Sequence, residues 1–232
     1  MRSMLIACCP ILVWCFSALQ LGFLVISLIR YSKTKNTLFL LTGLEAAGLF
    51  YDALIISLGS VLNDGALLRG LSQVRFISHG ALIPLLLPIC FYALGWKKLG
   101  KTIGWIVTGL IMALGIAEGF VTVIELSEIA GVSRFTAGAA TPAWAESVSS
   151  LLSFGTVIPL MIAGIIVWVK QKTPTLFLSG FLMFAFSALG PATGNTDLIF
   201  IISMFGEALM VLFFLLYGNY NASERLDSNP AE

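Results

Sequence analysis

The sequence predicts an all-α membrane protein, a bundle of seven transmembrane helices. Three observations predict it. The chain of 232 residues is 58% hydrophobic and 11% charged, whereas a soluble domain carries about 25% charged residues. Its apolar residues fall in runs of about twenty, the length that crosses a hydrocarbon core of ~30 Å. The runs are continuous, without the period of two that a membrane β-barrel requires.

The first helix covers about residues 5–29. It reads as uncleaved, because the apolar stretch ahead of the lipoprotein-like string Leu5-Ile6-Ala7-Cys8 is too short for a signal peptide. The second covers about 37–58 and is followed by a turn with Asn63-Asp64-Gly65. The third, about 67–95, contains Pro84 and Pro88, which should bend it. The fourth, about 102–124, leads into a longer polar stretch, 125–147. Within that stretch 136–142 reads as small and flexible, and Trp144 suits a membrane interface. The fifth covers about 148–169, with Pro159 as a kink, and the sixth about 175–189. A tight turn over 190–196 precedes the seventh, about 197–217. Residues 1–218 therefore form one transmembrane domain, and 219–232 a short polar tail without fixed structure.

Positive charge sets the orientation. The connections after the first, third and fifth helices hold Arg30, Lys33, Lys35, Lys97, Lys98, Lys101, Lys170 and Lys172, and Arg225 in the tail falls on the same side. The opposite side holds Arg2 and Arg134, with Arg69 near a helix end. The N-terminus is expected outside and the C-terminus in the cytoplasm, in a cell membrane. A weak repeat accompanies this plan. Lys35-Asn36-Thr37-Leu38-Phe39-Leu40 opens the second helix and Lys172-Thr173-Pro174-Thr175-Leu176-Phe177-Leu178 the sixth, each with a glycine soon after (Gly43, Gly180). The pattern suggests a parallel three-plus-one-plus-three duplication of the kind transporters use.

The informative residues are those that hydropathy disfavours. Arg75 and His79, the only histidine, lie four apart and share one face of the third helix. Glu45, Tyr51 and Asp52 lie in the second helix, Glu118 in the fourth and Glu207 in the seventh. At ~1.5 Å per residue, Asp52 and Arg75 are each about 9 Å deep, and His79 and Glu207 lie nearer the midplane. A short turn makes the second and third helices antiparallel neighbours, so Asp52 and Arg75 are the expected ion pair. Four carboxylates then face one arginine and one histidine. Low dielectric does not tolerate that surplus. Protonated carboxyls, a bound cation or a water-filled cavity would each resolve it, and each makes the layer a candidate site. Each residue also has a structural role open to it. The Asp52–Arg75 pair can lock two helices, and the glycines around Glu118 can serve close packing. Tyr51 can bond its neighbours, and His79 can bridge Glu207.

Several classes are disfavoured. A net charge of +1 gives no basic stripe for nucleic acid. Cys8, Cys9, Cys15 and Cys90 show no metal spacing. No zinc-binding HExxH, Walker loop or dinucleotide fingerprint occurs, nor a Gly-x-Ser-x-Gly elbow, and no cofactor is expected. The seven-helix plan with an outside N-terminus is shared with rhodopsins and receptors, but no lysine lies inside any helix to hold retinal. The expected function is a small transporter or channel for a proton, a cation or a cationic solute, with Glu45, Tyr51, Asp52, Arg75, His79, Glu118 and Glu207 at its site. An enzyme acting on a lipid or isoprenoid by acid–base chemistry, and a ligand sensor or assembly subunit, are the alternatives. The expected partners are the lipid bilayer and a small cationic or protonatable ligand.

Overall fold

Where water is excluded, backbone N–H and C=O groups must be satisfied within their own segment, so the apolar runs become helices. The computed structural model describes residues 2–62, 65–192, 194 and 196–228. Its helices are α1 (Arg2–Thr34), α2 (Thr37–Leu58), α3 (Ala66–Leu82), α4 (Leu86–Ala93), α5 (Lys98–Val121), α6 (Ala143–Gln171), α7 (Thr175–Ala192) and α8 (Thr196–Ser228). Among the described residues, six helical rods are long and apolar enough to cross a membrane, and a shorter apolar helix covers Thr175–Ala188. The expected turn residues Asn63 and Asp64, Thr193 and Asn195 of the second tight turn, and 229–232 lie outside the described residues.

α3 and α4 make one rod, interrupted by a 3-10 turn at Ile83–Leu85. Pro84 lies in that turn; it has no N–H to donate and its ring crowds the preceding carbonyl. The rods close into a ring in chain order: α1 on α2, α2 on α3, α3 on α5, α5 on α6, α6 on α7, α7 on α8, and α8 back on α1. Their outer faces carry apolar stripes at helical spacing, such as Ile103, Ile106, Leu110 and Leu114 on α5 and Ile158, Ile162, Ile165 and Val169 on α6, all exposed. Monomeric soluble proteins rarely show apolar surface on this scale. On its inner face α5 buries small or polar residues instead: Thr108, Gly115, Glu118 and Gly119. There α3 and α5 touch backbone to backbone. A Cβ added to Gly80 would collide with the Gly115 carbonyl oxygen.

Two regions differ from the sequence expectation. The fourth crossing stops at Val121, and the polar stretch after it is a β-hairpin, β1 (Ile124–Ile129) and β2 (Val132–Ala137). The strands pair antiparallel, from Ile124 opposite Ala137 to Ile129 opposite Val132. The connecting residues Ala130 and Gly131 are both left-handed, with φ of 52° and 76°, as the tightest hairpin turn demands. The hairpin folds inward. Ala130 and Val132 are buried in the main apolar core, and Ile124 and Phe135 form a second cluster with Ile55 of α2 and Leu68 of α3. Gly59, just past α2, leaves no room for a Cβ against the Ser133 carbonyl. The bundle thus has a hairpin end and, opposite it, a basic end that gathers the lysine-bearing α1–α2, α4–α5 and α6–α7 connections.

The second difference is the tail. α8 continues as helix to Ser228, and polar contacts from Tyr217, Tyr220 and Asn221 hold the start of this extension against the basic end. Tyr217 Oη donates to Gln171 Oε1 (3.1 Å), Tyr220 Oη to the Gln171 carbonyl (2.6 Å), and Asn36 Nδ2 to Asn221 Oδ1 (3.1 Å). Asn36 also caps α2, accepting from the Leu38 N–H at 3.1 Å.

Candidate functional site

The antiparallel packing of α2 and α3 brings Asp52 and Arg75 together at the hairpin end. Arg75 Nη1 is 3.1 Å from Asp52 Oδ1. Its other terminal nitrogen, Nη2, donates to the Phe135 carbonyl of β2 at 2.8 Å, and the guanidinium lies over the Phe76 ring at 4.8 Å. One arginine therefore ties α2, α3 and the hairpin into a unit. Nearby groups complete the joint. Tyr51 Oη donates to the Leu71 carbonyl (3.1 Å), and Gln73 Nε2 donates to the Gly119 carbonyl of α5 (2.6 Å).

The remaining candidates surround a chain of cavities. The first, about 280 Å³, lies between Glu45 and Gly48 of α2, His79 of α3, Ser153 and Phe154 of α6, Phe184 of α7 and Glu207 of α8. The second, about 300 Å³, lies under the hairpin between Asp52, Arg134, Thr136, Ser203 and Glu207. The third, about 290 Å³, joins Asp52, Arg75, His79, Glu118, Arg134, Ser153 and Glu207. Glu207 borders all three. His79 borders the first and third, and although it is deep in the bundle its ring is exposed, which is exposure to this interior space. Glu118 is buried and accepts from Thr122 Oγ1 at 3.1 Å, so part of its demand is met within α5. Glu45 is 4% exposed, and its Oε1 is buried with no hydrogen-bond partner among the described residues. Tyr51 spends its hydroxyl on the α2–α3 joint and borders none of these three cavities.

One member escapes the sequence reading. Arg134 reads there as a connecting-loop charge at the surface, yet β2 carries it inward to border two of the cavities. Its guanidinium lies over the Phe200 ring of α8 at 4.6 Å, and its buried Nε has no hydrogen-bond partner among the described residues. Burial, with the like charge of Arg75 adding to it, pulls the guanidinium down to about 10, so it stays charged at neutral pH. Four carboxylates thus face two guanidiniums and one imidazole. The negative surplus is smaller than the sequence implies, and it sits deeper, around Glu207 and Glu45. No alternation marks Arg134 in the sequence, since Val132-Ser133-Arg134-Phe135-Thr136 runs apolar, polar, polar, apolar, polar; only the pairing of β2 puts Arg134 on the same strand face as the buried Val132.

The described residues hold no group of three or more His, Cys, Asp or Glu side chains placed to share a metal ion. The arrangement suits charge handling at separate points: a paired arginine at the hairpin end, a shared glutamate at the junction, and an unmatched glutamate beyond it. Comparison with protein-family models and with curated proteins finds no match for the chain.

Proposed function

We propose that this protein is a small multi-pass membrane transporter or channel whose buried carboxylate, arginine and histidine groups form the path of a proton, a cation or a cationic solute. The observation that supports this most is the meeting of three interior cavities at one carboxylate, Glu207. Intramembrane ionisable groups that border interior space are the usual mark of a pathway. In this reading Asp52, Arg75 and Arg134 form the outer vestibule, which the hairpin covers. Glu207 and His79 form the junction, and Glu45 the innermost station. Toward the basic end from Glu45 the bundle packs Phe39, Phe214 and Tyr217, all fully buried, and in this reading they would form the inner gate.

The orientation follows the lysines: the basic end faces the cytoplasm and the hairpin the outside of the cell membrane. The repeat belongs to the same reading. α1–α2 and α6–α7 are each joined through a left-handed lysine, Lys35 and Lys172, and Gly43 and Gly180 each press on the preceding helix, near Ser27 and near Met161.

Flux measurements on the purified chain in liposomes test the function. With a pH or potential gradient imposed, Glu207→Gln and Asp52→Asn should each lower proton or cation flux at least tenfold. Unchanged fluxes in both variants would remove the pathway reading.

A further inference from the structure

We propose that the cavity between Glu45 and Glu207 binds a compact organic monocation, a substituted ammonium with an aryl or branched alkyl body. This names the solute class for the pathway and rests on that reading. Glu45 is the first reason. A buried carboxyl oxygen without a partner needs a proton or a positive charge from elsewhere, and Glu45 Oε1 is such an atom, on a residue that lines the first cavity. Glu207, by contrast, stands within electrostatic reach of Arg134 and Arg75. Of the two acids on this wall, Glu45 is therefore the one without an answering charge, and it calls for one positive charge.

The walls say what kind of cation. Leu49 and Met210 are apolar, and Phe154 and Phe184 add two aromatic side chains, which attract cations through their ring faces. A small divalent metal keeps much of its water and takes several oxygen ligands. These walls do not supply them, and no three metal-capable side chains converge among the described residues. A proton alone would need no such space. The volume of about 280 Å³ exceeds the ~150 Å³ apolar cavity that takes a benzene ring and sits at the lower edge of the ~300–1,000 Å³ range of small-molecule pockets. A single ring with an ammonium group fits that size. The depths are compatible with one shared cavity: counted at ~1.5 Å per residue from the Asn36–Asn221 bond, Glu45 and Glu207 differ in depth by about 7–8 Å.

The probe is tritiated benzyltrimethylammonium, titrated onto the full chain in lipid nanodiscs. Saturable binding is expected. Unlabelled benzyltrimethylammonium should displace it, while sodium and the uncharged isostere neopentylbenzene should not. Glu45→Gln should weaken it at least tenfold, and Glu146→Gln, on an exposed turn of α6, should leave it unchanged. If Glu45→Gln does not fold, the unsubstituted chain answers instead. An apolar carbodiimide should modify Glu45, seen by peptide mass, and the bound cation should slow that modification several-fold. Absence of saturable binding, equal competition by the uncharged isostere, or modification at the same rate with and without the cation would each overturn the proposal. Gradient-driven proton flux that needs Glu207, found without cation binding, would sink this proposal and leave the pathway standing. Saturable cation binding with no flux of any species would do the reverse.

Discussion

Arg75 has its charge answered from three directions, by Asp52, by the Phe135 carbonyl and by the Phe76 ring. Breaking a fully buried pair costs about 3–5 kcal/mol because one charge is stranded. Here the side chains retain 9% and 16% exposure toward a cavity, so Asp52→Asn should cost less, about 1–3 kcal/mol, measurable by chemical unfolding in detergent. The double variant Asp52→Leu/Arg75→Met separates lock from pathway. Stability should return to near the native value while flux stays lost, and recovery of both would make the pair a lock alone. Arg134 keeps its charge through neutral pH, so it contributes nothing to any pH dependence between about 5 and 8. The candidate residues were legible because a charge in an apolar run is conspicuous. Arg134 was not, since it sits among polar neighbours where a charge is unremarkable, and only the fold carries it to depth.

The elements that decide the architecture are a glycine contact and a hairpin. Gly80 and Gly115 let α3 and α5 meet without side chains between them. Gly80→Ala forces those helices apart and should cost about 1–3 kcal/mol, the usual penalty of overpacking. Gly70→Ala, on the same helix where a Cβ meets nothing within 4 Å, should instead be neutral or stabilising by up to about 1 kcal/mol. Thermal unfolding of the two variants side by side checks the contrast. The hairpin tip is held by Val132, which is fully buried. In a background without native cysteines, Val132→Ala should raise the rate at which Ser203→Cys, beneath the hairpin, reacts with an impermeant thiol reagent. An unchanged rate would mean that the tip does not limit access. Hydropathy located the helices well but not this element. The run of small residues after β2 masked it, and the alternation in Ile124-Glu125-Leu126-Ser127-Glu128-Ile129 is short. A two-strand unit also declares itself only through the partners it packs on.

At the scale of the molecule, the described residues form seven rods that close a ring whose outer stripes are apolar and whose interior is lined with acids, two arginines and an imidazole. The ring was foreseeable from run length and short connections. A water-filled cavity was one of three ways to resolve the surplus of acid, and the sequence could not choose among them because it shows which residues face inward but not whether they enclose space. The inferred orientation has its own test. In intact cells a cysteine at Lys97→Cys should resist an impermeant reagent until the membrane is opened, and one at Ser133→Cys should sit on the opposite side. Reversed labelling would invert the direction of the pathway. The hairpin also bears on how the chain is made. It is synthesised before α6, yet it touches α8, where Phe200 stacks under Arg134. A ribosome that has delivered only the earlier crossings leaves this tip without its full seat. Assembly must therefore finish backwards, with an early segment waiting at the surface until the last one arrives, and chains truncated ahead of α8 should expose that segment to proteases.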